Sequence, residues 1–136
     1  MRVLIADGDE VFLNIFKSFL YRWGHDAETA SNGIACLAQL RDFSPDVLVL
    51  QRDLRWGGSS GVLALMREDF VLSQIPVVLV GSGCFQENGG AREVPVVAVR
   101  QKPLRMTDLL MELESFVEAA HTGDSNKEQL HVGARS

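Results

Sequence analysis

The chain has 136 residues, of which 46% are hydrophobic and 23% charged, and its formal net charge is −5. That length suits one domain, large enough to bury roughly two-thirds of its unfolded surface without a metal or disulfide, and the composition argues against disorder of the whole chain. The acidic balance disfavours a dedicated nucleic-acid surface, and no apolar run is long enough to span a bilayer.

Arg2-Val3-Leu4-Ile5-Ala6 reads as a short strand ending at Asp7-Gly8-Asp9. It leads straight into acids and does not read as a secretory signal. Apolar residues then recur at Val11, Phe12, Ile15, Phe16, Phe19, Leu20 and Trp23, the spacing of a helical stripe. Asp9 can cap this helix, and Gly24 suits the left-handed residue that ends it. His25–Ala30 is a weaker strand, and Ser31-Asn32-Gly33 turns the chain into a second helix with Ile34, Leu37, Ala38 and Leu40 facing inward. Pro45-Asp46 stops that helix. Val47-Leu48-Val49-Leu50 is continuously apolar, the pattern of a strand covered on both faces.

After the loop Gln51–Gly58, Ser59 or Ser60 can cap a third helix through Val62, Leu63, Leu65 and Met66. Pro76 introduces a strand over Val77–Val80, and Pro95 introduces another over Val96–Val99. Between them Gly81–Val94 should hold a helix, but each interior glycine costs about 1 kcal/mol, which predicts a weak or irregular element. Thr107 can cap a last helix carrying Leu109, Leu110, Leu113, Phe116 and Val117. His121–Ser136 is polar and without periodicity, and reads as a flexible tail. Of the two cysteines, Cys36 fits a small core residue and Cys84 lies in a glycine-rich loop. That usage suits a reducing cytoplasm.

Strands alternating with helices predict right-handed crossovers and a doubly wound, five-stranded parallel sheet of the flavodoxin-like α/β class. Ligands and reactive groups collect at the carboxyl ends of such strands. Those ends carry Asp7-Gly8-Asp9, Gln51-Arg52-Asp53, Gly81-Ser82-Gly83 and Gln101-Lys102-Pro103.

From about Arg2 to Ala119 the sequence resembles the receiver domains of two-component response regulators. Val3-Leu4-Ile5-Ala6-Asp7-Gly8-Asp9 is similar to the first strand and acidic turn of that family. Asn32-Gly33 is similar to the turn before its second helix. Pro45-Asp46-Val47-Leu48-Val49-Leu50, Gly61, Pro76-Val77-Val78-Leu79-Val80 and Lys102-Pro103 follow in the family's order and spacing. The resemblance implies a pocket where a carboxylate at the end of the third strand attacks phosphorus and acids after the first strand hold Mg²⁺. It also implies a Thr or Ser after the fourth strand and a lysine after the fifth that contact the phosphoryl group. An aromatic residue on the fifth strand couples the pocket to the outer face.

The chain departs from that pattern at most of these points. Gln51 stands at the nucleophile's position, Gly8 at that of a metal-ligating acid, Gly81 at that of the Thr or Ser with Ser82 adjacent, and Val99 at that of the aromatic. Leu54-Arg55-Trp56-Gly57-Gly58 replaces the family's common Met-Pro turn. Asp7 and Lys102 are retained.

The resemblance therefore implies a degenerate receiver over residues 1–120, followed by the tail 121–136. Its residual pocket comprises Asp7, Gly8, Asp9, Gln51, Asp53, Gly81, Ser82 and Lys102. No catalytic residue and no cofactor are expected, and Mg²⁺ is disfavoured. Asp7 and Asp9 read as acids at a helix start, where the macrodipole favours them. Lys102 is expected to pair with Asp7 or Asp53, or to donate to the Gln51 amide oxygen. Trp56 fits a partner contact and a lid over the strand ends equally well.

The expected role is phosphorelay signalling through protein contacts, with a sensor kinase or output protein as partner, no nucleic acid and no membrane. A homodimer is compatible with the sequence. Two alternatives stand beside this reading: an active receiver with its phosphoacceptor displaced to Asp53, and a flavodoxin-like small-molecule binder. The second lacks a Gly-rich phosphate motif after the first strand.

Overall fold

Five parallel strands form one sheet in the order β2-β1-β3-β4-β5, the flavodoxin-like doubly wound arrangement that the alternating pattern predicts. The computed structural model describes residues 1–55, 58–81 and 95–132, the last stretch from 122 by its backbone. Its elements are β1 (Arg2–Ala6), α1 (Glu10–Arg22), β2 (Asp26–Ala30), α2 (Gly33–Asp42), β3 (Val47–Gln51), α3 (Gly58–Glu68), a 3₁₀ turn (Leu72–Gln74), β4 (Val77–Gly81), β5 (Val96–Gln101) and α4 (Met106–Val132).

The continuous apolar run of β3 has the predicted cause, and β1 shares it. Alternate side chains enter opposite faces, and both faces are covered. Leu4, Ala6, Leu48 and Leu50 pack with Cys36, Leu40, Val62 and Met66 beneath α2 and α3. Val3, Ile5, Val47 and Val49 pack with Leu13, Phe16, Leu20 and Leu113 beneath α1 and α4. In-register pairing of Ala6 with Leu50 and of Gln51 with Val80 brings the ends of β1, β3 and β4 level, so their carboxyl ends meet at one edge.

Local chemistry sets the helix ends. The Asp9 carboxylate accepts from the Val11 and Phe12 N–H groups, and Gly24 closes α1 at φ +83°. Asn32 caps α2 by accepting from Ala35 N–H. At α3 the expectation is corrected: the helix starts at Gly58, and Ser59 sits in its first turn with its hydroxyl donating to the Arg52 carbonyl at 2.8 Å. Thr107 likewise lies inside the first turn of α4, which starts at Met106.

Packing corrects the expected buried face on α1, α2 and α3. On α1 the buried face is Leu13, Phe16 and Leu20, whereas Val11, Ile15 and Trp23 are exposed. The apolar stripe is wider than the face that is buried, so its outer edge stays in water. On α2, Ile34 and Ala38 face solvent, and Gly33, Cys36 and Leu40 face inward. On α3, Leu65 is likewise exposed. Finally, α4 continues to Val132, through most of the segment read as a flexible tail. Periodicity reports a buried face, not helicity, and Lys127-Glu128-Gln129-Leu130 are good helix formers. The expected weak helix after Gly81 lies outside the described residues.

Candidate functional site

β1 ends at Ala6, so Asp7 is the first residue beyond it, and its N–H donates to the Ala30 carbonyl at 3.0 Å. That bond keeps Asp7 against the sheet, and the residue is 1% exposed. A carboxylate so buried needs partners. Among the described residues it has two: Lys102 Nζ donates to Oδ2 at 2.8 Å, and Asp9 N–H donates to Oδ1 at 2.8 Å. Lys102 reaches this point because β5 pairs with β4, and its own N–H donates to the Gly81 carbonyl at 2.7 Å. The Lys102–Pro103 peptide that follows is cis.

Gln51, the last residue of β3, closes the pocket from the third strand. Its Oε1 accepts from Gly8 N–H at 2.7 Å. A Cβ on Gly8 would meet that same oxygen at an ordinary 3.5 Å, so glycine is not demanded by crowding here. Phe12, in the first turn of α1, lays its ring over the Lys102 ammonium, 4.3 Å from nitrogen to centroid.

The structure therefore gathers Asp7, Gly8, Asp9, Gln51, Gly81 and Lys102, as the strand order requires. Of the partners anticipated for Lys102, the one observed is Asp7; the Gln51 oxygen instead takes the Gly8 N–H. Asp53 lies exposed in the turn after β3. Ser82, Cys84 and Trp56 lie outside the described residues. Val99 is half-buried and packs on the α2–α3 side of the sheet. Phe12 is the pocket residue that the sequence reading did not single out. Its place in the apolar stripe of α1 disguised it as core, and only its position just after the acidic turn hinted at the pocket.

The Gln51 amide is neutral and cannot form an acyl phosphate as a carboxylate does. The donor set does not fit a hard divalent cation either. Such a cation wants several oxygen ligands with negative charge. Here Asp7 is engaged by Lys102, Gly8 offers no side chain and the Gln51 oxygen is taken. Among the described residues no three His, Cys, Asp or Glu side chains come together to hold a metal ion. Away from the pocket, burial pushes the Cys36 thiol up to about 12, which keeps it protonated and unreactive.

No family profile matches the chain. It is 33% identical over 82 residues to the transcriptional regulatory protein AruR of Pseudomonas aeruginosa, a match covering 58% of this chain and 33% of AruR. The chain thus spans about a third of the length of that curated relative. Its fold is similar to that of the Francisella response regulator 1452 receiver domain, with a TM-score of 0.77 and 19% identity over 87% of this chain and 97% of that one. A CheY-like receiver domain protein from Methanospirillum hungatei gives 0.77 and 20% over 90% and 97%. NtrX from Brucella abortus gives 0.78 and 18% over 93% of this chain and 29% of that one. The chain has the receiver fold.

Proposed function

We propose that this chain is a receiver-like signalling domain of the phosphorelay type that is not phosphorylated and works through contacts with protein partners, such as a sensor kinase or an output protein. The observation that carries the reading is Gln51. It occupies the carboxyl end of β3, and its amide oxygen is bonded to Gly8 N–H. The retained Lys102 is held on Asp7 instead of standing free for a phosphoryl oxygen. The likeness to AruR, named a transcriptional regulatory protein, supports a place in signalling. The net charge of −5 favours a protein partner over a nucleic acid. Among the described residues no helix is long and apolar enough to cross a membrane, and we place the domain in the cytoplasm.

Intact-mass measurement after treatment with acetyl phosphate and Mg²⁺ tests the reading. The mass should stay unchanged. A phosphoryl gain that disappears in Asp53→Asn would replace this reading with the displaced acceptor.

A further inference from the structure

We propose that Phe12 holds Lys102 on Asp7 and closes its ammonium to incoming anions, so that the pocket is a permanent clasp between the β1–α1 turn and the end of β5. The inference rests on reading the pocket as inert, and it adds a residue to which that reading assigns nothing.

The ammonium meets the Asp7 carboxylate at 2.8 Å and the Phe12 ring at 4.3 Å. A cation over a ring face is attracted by the ring's quadrupole, more strongly where water is excluded. The Lys102 side chain is 21% exposed, and its ammonium lies between the Asp7 carboxylate and the Phe12 ring. Phe12 is itself fixed. Its N–H is held by the Asp9 carboxylate at 3.2 Å, and its ring stacks on the buried Phe16 at 5.7 Å. Phe16 in turn stacks on Phe19 at 6.2 Å. The aromatic ladder of α1 therefore sets the height of the ring above the lysine. An anion could reach Lys102 only by displacing the ring or by competing with a carboxylate already in contact.

Trace acetylation of the full chain with acetic anhydride, read residue by residue by mass spectrometry, tests this. Phe12→Leu keeps an apolar side chain in the stripe but removes the ring, and Phe12→Tyr keeps the ring. Lys102 acetylation should rise about three- to tenfold in Phe12→Leu and stay near the native level in Phe12→Tyr. Lys17, which lies over Tyr21 and pairs with Glu28, is the internal control and should not change. Equal acetylation of Lys102 in all three proteins overturns the inference, as does an equal rise in both variants.

Should Phe12→Leu fail to fold, the native protein still decides. The ring should shift the Lys102 Hε resonances upfield, and Lys102 Hε shifts like those of an exposed lysine would refute the contact. A phosphoryl adduct on the native chain would sink the proposed function while leaving these readouts untouched, so the two failures are distinguishable.

Discussion

Replacing Lys102 with methionine should expose how much the fold depends on the retained pair. Methionine keeps an apolar stem and removes the charge, leaving Asp7 as a buried carboxylate with Asp9 N–H as its remaining partner. Breaking a fully buried pair costs about 3–5 kcal/mol, whereas an exposed pair is worth about 0–1 kcal/mol. The Asp7 side chain is 2% exposed but that of Lys102 is 21% exposed, so water can partly replace the lysine. An expected loss of about 2–3 kcal/mol follows. For a chain of this length that corresponds to a fall in Tm of roughly 7–10 °C. Urea unfolding followed by circular dichroism would measure it. Adding Asp7→Asn should recover part of the loss, because an amide tolerates burial without a counter-ion. A loss below about 0.5 kcal/mol for Lys102→Met, together with simple additivity in the double variant, would refute the reasoning and return Lys102 to solvent.

Leu13→Ala should cost about 2–5 kcal/mol in urea unfolding, while Ile15→Ala, on the same helix but 52% exposed, should cost less than about 0.5 kcal/mol. Gly24→Ala should lose about 1–2 kcal/mol through backbone strain alone, since φ is +83° and a Cβ there would touch nothing within 4 Å. Alkaline stability should depend on Cys36. Its folded pKa of about 12 lies above the ordinary 9.0, so above 9.0 only the unfolded chain readily sheds the proton and stability falls as pH rises. Comparing native protein with Cys36→Ala by thermal melts should show any advantage of the thiol shrinking over that window.

The sequence by itself determined the alternation of strands and helices, because continuous Val/Leu runs bounded by Pro and Gly are compatible with little but a sheet covered on both faces. It also determined the cap at Asp9, the turn at Asn32-Gly33 and the left-handed end at Gly24, which depend on a few adjacent atoms. The chemistry of Gln51 was legible for the same reason: a glutamine carries its neutral amide in any fold.

Only the tertiary structure decided which part of each apolar stripe is buried. Val11, Ile34 and Leu65 have the spacing of core residues, yet each lies on the solvent side of its helix. It also chose Asp7 over Asp53 for Lys102, because β1 ends level with β3 and β5 while Asp53 lies in the turn beyond. Phe12 over Lys102 was the least legible contact. It joins residues 12 and 102 through the packing of α1 on the sheet, and no local pattern in either segment encodes the other.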